Sequence, residues 1–219
     1  MDNCVFCNRQ KIEKDILAES PSFMVMVGLG VITPGHVLLT STEHLSCYGA
    51  LPSSLKKEFL KTRSIVSKTI EEIFAKPFQI EYGVWGQTVP HAHIHFIPRC
   101  NTDYSVDSIM DELFSYAGVP IEKASFERMQ EIFREDKGYI MIEESENIFV
   151  ARVLGLPPIN QFPALGYRQF FTNKKNIKHV GDWRTLNDSE RIYDEQKRND
   201  TKRLLSESLK VAFKKEGLS

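Results

Sequence analysis

Gly86-Gln-Thr-Val-Pro-His-Ala-His-Ile-His-Phe-Ile-Pro-Arg99 is the stretch on which the reading of the chain turns. Its second half alternates His91, His93 and His95 with Ala92, Ile94 and Phe96. Successive side chains of a β-strand point to opposite faces. A strand over residues 91–97 therefore sets three imidazoles on one face and three apolar side chains on the other, against a core. Neighbouring rings in such a row stand about 7 Å apart. Aligning polar rings beside an apolar face is costly unless each ring has a partner, so the row reads as a chemical site. A row of metal ligands is the rival reading. The turn upstream bears on the choice: the amide of Gln87, the hydroxyl of Thr88 and the N–H groups of a tight turn suit a phosphate without a metal.

Working outward, residues 22–27 and 36–40 read as strands, separated by the turn residues Pro34-Gly35. A helix is expected after Pro52, with Leu55, Phe59, Val66, Ile70 and Ile73 on one stripe and Pro77 marking its end. Residues 78–85 read as a further strand and 86–90 as a turn. Beyond a soft boundary near residue 103, helices are expected over 107–117 and 125–135, and strands over 138–143, 147–153 and 168–172. Asn187-Asp-Ser-Glu190 has the pattern of a capping box opening a long C-terminal helix.

The chain has 219 residues with 42% hydrophobic and 26% charged, a globular composition. Lys+Arg 28 against Asp+Glu 29 gives a net charge of -1, so the chain as a whole is not a polycation for coating nucleic acid or an anionic membrane. No run of about 18 apolar residues is present, so no membrane span is expected. The N-terminus lacks the pattern of a signal peptide. Four cysteines in this setting suggest a reducing compartment, and a cytoplasmic location is expected. Cys4-Val-Phe-Cys7 then has the spacing of half a zinc site, with a redox pair as the other reading.

Pro34-Gly-His-Val-Leu38 together with the 86–99 stretch resembles the histidine-triad (HIT) hydrolases, over about residues 3–102. The resemblance implies an α+β, HIT-like fold with an antiparallel sheet, commonly dimeric, in a domain at 1–102. Residues 103–219 would be an α/β C-terminal extension packed on it. It also implies hydrolysis or transfer of nucleotides at the α-phosphate, with His93 as the residue that becomes nucleotidylated. Histidine at 95, where a branch of nucleotidyl transferases resembling galactose-1-phosphate uridylyltransferase has glutamine, favours a hydrolase.

The chemistry agrees with that implication. An imidazole with a pKa near 6.5 is a neutral nucleophile at physiological pH, and attack on phosphorus splits one hard displacement into two easier ones. His95 and His36 would fix tautomer and orientation, while Gln87, Thr88 and His91 are the phosphate-binding candidates. The expected substrate is an adenine or guanine nucleoside phosphate joined to something else: a dinucleoside polyphosphate, a nucleoside phosphoramidate or an adenylylated conjugate. A nucleic-acid-processing protein and a non-catalytic nucleotide sensor are the alternatives.

By the same resemblance, a structural zinc would be completed by His44 and His91 beside Cys4 and Cys7. In the extension, residues 167–184 interleave Arg168, Lys174, Lys175, Lys178 and Arg184 with Tyr167, Phe170, Phe171 and Trp183, a pattern suited to a nucleotide base or single-stranded nucleic acid or, equally, to a solvated basic face over core aromatics. Residues 149–184 are weakly similar to the tail of the CwfJ family, linked to RNA lariat processing.

Overall fold

A computed structural model describes residues 4–99, 121–144, 147–153, 184 and 186–218. The expected helix at 107–117, the expected strand at 168–172 and nearly all of the basic, aromatic and CwfJ-like stretch lie outside them.

Eight strands form one sheet: β1 (Ile16–Glu19), β2 (Phe23–Met26), β3 (Val37–Ser41), β4 (Pro77–Gly83), β5 (His93–Pro98), β6 (Ile121–Ala124), β7 (Tyr139–Glu144) and β8 (Asn147–Arg152). Their order is β1-β2-β3-β5-β4-β7-β8-β6, and every neighbouring pair is antiparallel. With four described helices, α1 (Arg9–Ile12), α2 (Lys56–Ile73), α3 (Phe126–Asp136) and α4 (Asp188–Lys215), this is the α+β antiparallel class expected. The strands beyond residue 103 continue the same sheet, because β7 pairs with β4 from Gln79↔Glu143 to Gly83↔Tyr139.

Alternation along the strands sorts the two faces. Phe23 and Val25 of β2, Val37 and Leu39 of β3, and Ile94 and Phe96 of β5 enter one large core with Ala92. Against it lie Phe59, Val66 and Ile70 of α2, with Leu55 and Ile73 at the margins, so the stripe expected from sequence is the buried one. Met24 and Met26 of β2 and Leu38 of β3 point the other way and cluster with Phe6 and Ile12. The histidines of β5 belong to that second face.

α4 begins at the capping box expected: the Asn187 side chain accepts from Glu190 N, and the Glu190 carboxylate accepts from Asn187 N. Twenty-eight residues make it about 42 Å long. Its far end buries Leu205, Leu209 and Phe213 in the large core. None of the described helices is long and apolar enough to cross a membrane.

Pro34-Gly35 makes the turn before β3. Gly35 has φ +85, and a Cβ there would stand 2.7 Å from the Phe74 ring and 2.8 Å from Pro98, so only glycine fits. β1, β6 and α1 carry too little hydrophobic pattern to be picked out from sequence.

Candidate active site and metal-ligand cluster

β5 lies in the middle of the sheet, between β3 and β4, with His93 opposite Thr40 and His95 opposite Leu38 and Ile80. A strand so placed has ladder partners on both sides and holds its side chains firmly. The strand is shorter than expected at its start. His91 and Ala92 precede β5, held by His91 N to Val89 O and Ala92 N to Leu45 O, 2.8 and 2.7 Å. The row of three rings thus divides, with His93 and His95 adjacent at 5.2 Å between ring centroids and His91 turned toward the cysteines.

Hydrogen bonds to groups that only donate or only accept fix which ring nitrogens carry protons. The Nδ1 of His93 lies 2.6 Å from the His91 carbonyl, which only accepts, so Nδ1 holds the proton and Nε2 the lone pair. Among the described residues nothing bonds that Nε2. Burial pushes the His93 imidazole down to about 4, against the raising effect of the carbonyl, which keeps the ring neutral and nucleophilic.

His36, expected as the first residue of a strand, stands just before β3 and is buried. Its Nδ1 accepts from Ile32 N at 3.0 Å, and its Nε2 lies 3.0 Å from Nδ1 of His95. With a neutral His36 the proton must be on Nε2, which donates to His95 and leaves the His95 proton on Nε2. The pair is thus a short relay of defined polarity ending beside His93.

Of the expected phosphate-binding residues, Gln87 spends its amide on Ser46 O at 2.7 Å and His91 O at 3.4 Å. It ties the 86–90 turn down and shares the His91 carbonyl with His93. Thr88 is exposed on that turn.

Cys4, Cys7, His44 and His91 come together, their ligand atoms all within 4.8 Å of one another. Sγ of Cys4 and of Cys7 lie 3.4 and 3.5 Å from Nδ1 of His91, and Sγ of Cys7 lies 3.4 Å from Nδ1 of His44. Sulfur and nitrogen ligands of a tetrahedral cation with bonds of about 2.3 and 2.0 Å stand about 3.5 Å apart, so the donor set fits such an ion. The Nε2 of His91 donates to the Ser41 carbonyl at 2.9 Å, and this turns the Nδ1 lone pair on the cluster, as an outer partner of a ligating histidine does. Phe6, between the two cysteines in sequence, sets its ring edge-on to His91 and His93 at 5.6 and 5.5 Å.

Sequence reasoning missed Glu81. It is fully buried on β4 and accepts from Tyr139 Oη at 2.5 Å and Tyr48 N at 2.8 Å. Burial pushes its carboxyl up to about 7, while Tyr139, Tyr48 N and Arg63 pull it down. A lone acid in the apolar run 78–85 was the available signal.

Residues 9–102 match the model described as the HIT domain. The chain is 39% identical over 89 residues to a bis(5'-nucleosyl)-tetraphosphatase [asymmetrical] of Schizosaccharomyces pombe, covering 38% of this chain and 48% of that protein. It is 28% identical over 127 residues to a bis(5'-adenosyl)-triphosphatase of Saccharomyces cerevisiae, covering 54% and 60%. A HIT family hydrolase structure from Clostridium thermocellum is 24% identical with a TM-score of 0.40, covering 48% of this chain and 98% of that one. The chain spans between 48% and 60% of the length of these curated relatives. The match to the HIT domain thus takes in His36, His44, His91, His93 and His95, all the histidines of the two clusters.

Proposed function

We propose that the chain is a nucleotide hydrolase that cleaves dinucleoside polyphosphates at the α-phosphate through a nucleotidyl-His93 intermediate. The bond from His93 Nδ1 to the His91 carbonyl, 2.6 Å long, carries the reading. It holds the proton away from Nε2, the atom that attacks. An N–P bond forms there as the bond from phosphorus to the bridging oxygen breaks. The positive ring of the intermediate keeps its Nδ1 proton on the carbonyl, which stabilises it. The proton on His95 Nε2 is offered to the oxygen that leaves. Water then attacks phosphorus and gives a proton to His95 Nε2, which restores it, as the N–P bond breaks and His93 returns with its lone pair. Thr88 and the N–H groups of the turn would face the non-bridging oxygens, with Gln87 holding the turn. The names of the two curated relatives support this substrate class.

Zinc is the metal we assign to Cys4, Cys7, His44 and His91, because two thiolates and two imidazoles in a closed tetrahedral set are its preferred structural ligands. Bound there, it supplies folding energy and pins the N-terminus to the residue whose carbonyl orients His93.

The test is to incubate the chain with diadenosine tetraphosphate, diadenosine triphosphate and adenosine phosphoramidate, quench in alkali, and measure intact and peptide masses. A nucleotidyl group on His93 with turnover of a dinucleoside polyphosphate is expected. Turnover of none of the three with no adduct on His93 overturns the reading, and tight nucleotide binding alongside that result would make the chain a sensor.

A further inference from the structure

Asp194, Lys197 and Thr201 of α4 all grip the segment 30–35 that leads into His36. The Asp194 carboxylate accepts from the main-chain N–H groups of Gly30 and Val31, at 3.1 and 2.7 Å. Lys197 Nζ donates to the Val31 carbonyl. The Thr201 hydroxyl accepts from Gly35 N and donates to Lys197 O, both at 2.8 Å. Their spacing sets the three on one helix face, and all three are buried. Lower down the same helix the buried positions are Leu205, Leu209 and Phe213. A helix that served only to cover the sheet would continue in apolar residues, since a buried carboxylate and ammonium are costly without specific partners. Here the partners are main-chain groups on both sides of Ile32, whose own N–H donates to His36 Nδ1.

We infer that α4 is a positioning element for the histidine relay: Asp194 and Thr201 clamp the 30–35 segment so that Ile32 N–H fixes the tautomer of His36 and, through the 3.0 Å contact between the rings, that of His95. With Ile32 N–H displaced, Nδ1 of His36 is free to take the proton. His36 Nε2 then accepts from Nδ1 of His95, and the His95 Nε2 presents a lone pair where the leaving oxygen needs a donor. The kinetic consequence rests on the hydrolase reading above; the tautomer does not.

The experiment uses the full chain and three variants, Asp194→Asn, Thr201→Val and Thr201→Ser. Two readouts are taken: ring ¹⁵N–¹H correlation spectra of the histidines, and kcat and KM with diadenosine tetraphosphate. In the parent, His36 and His95 should both be unprotonated at Nδ1. Thr201→Val and Asp194→Asn should mix the His36 tautomers and lower kcat by about tenfold or more with KM within about threefold, while Thr201→Ser, which keeps the hydroxyl, restores both. Variants with parental tautomers and parental kcat overturn the inference, including variants that only melt at a lower temperature, which would make α4 a structural brace alone. If Thr201→Val does not fold, Asp194→Asn against the parent decides. If the parent does not turn over the substrate, the hydrolase reading falls and the ring spectra still decide this one.

Discussion

The Nδ1 of His93 donates to the main-chain carbonyl of His91 across 2.6 Å, while the ring of His91 faces two cysteine sulfurs at 3.4 and 3.5 Å. One residue therefore serves both clusters, its backbone to His93, the proposed nucleophile, and its side chain to the cysteines of the proposed metal site. Distortion of the metal site should reach His93 through a single peptide unit.

His93→Asn should keep the fold and roughly keep nucleotide binding, because an amide of similar reach still hydrogen-bonds. Turnover should fall by on the order of a thousandfold or more, about 4 kcal/mol of transition-state stabilisation. His95→Asn should do less damage, since it removes a donor and not the attacking atom. Single-turnover assays of both variants check the ranking; retention of turnover within about tenfold by His93→Asn would disprove the covalent route.

Cys7→Ser should cost more in stability than in chemistry. Losing one ligand of a closed metal site should remove roughly 3 kcal/mol, or about 6–12 °C in melting temperature for a chain of this size. Calorimetry beside metal analysis of chelator-free protein makes the comparison. Equal melting temperatures in parent and variant, with well under one zinc per chain, would remove the metal assignment.

Stability should fall as pH rises through the range set by Glu81. Its carboxyl is raised from 4.5 to about 7 in the fold by burial, so the folded chain holds that proton more tightly than the unfolded one. The unfolded chain binds fewer protons between those values, and the slope of stability against pH is negative there. Below the window the group is neutral in both states; above it the loss is complete, on the order of 3 kcal/mol at about 1.4 kcal/mol per pH unit. Glu81→Gln keeps one acceptor oxygen, enough for Tyr48 N, and is neutral at every pH, so it should flatten this part of the profile. Urea midpoints of parent and variant at about pH 4.5 and 7.5 measure the difference; parallel profiles would refute it.

Gly35→Ala should destabilise by about 2–4 kcal/mol. Part comes from a positive φ and part from a methyl group forced against Phe74 and Pro98. Chemical denaturation should show a lower midpoint with an unchanged slope. A midpoint equal to the parent's would mean that the turn relaxes freely.

The central strands and α2 were legible because their burial is one-sided: Ile94 and Phe96 against His93 and His95 repeat with period two, and Phe59, Val66 and Ile70 with the helical period. The start of β5 was not legible. Alternation continues through His91 in sequence, and only the pull of Leu45 O on Ala92 N and of the cysteine cluster on the His91 ring takes that residue out of the strand. Gln87 read as a phosphate ligand by residue type, whereas its amide is held by Ser46 and His91 carbonyls that lie beside it only in space. Asp194 and Thr201 were hidden for the opposite reason: in the polar first half of α4, a side chain that grips a loop and one that faces water look alike. β6 and β1 are short, and with four residues each they offer too few turns of the pattern to register.

The bond between Gly35 N and the Thr201 hydroxyl spans 166 positions of sequence. Ribosomes add about 5–20 residues per second, so between synthesis of Gly35 and arrival of Thr201 roughly 8–33 seconds pass. Once His95 has been made, the nascent chain contains every histidine of both clusters and the strands that carry them, while Asp194, Lys197 and Thr201, which close the loop ahead of His36, are still to come. The order of translation thus separates synthesis of the histidine-bearing strands from completion of their proton wiring, and a ribosome stalled before residue 194 would carry those strands with that wiring unfinished.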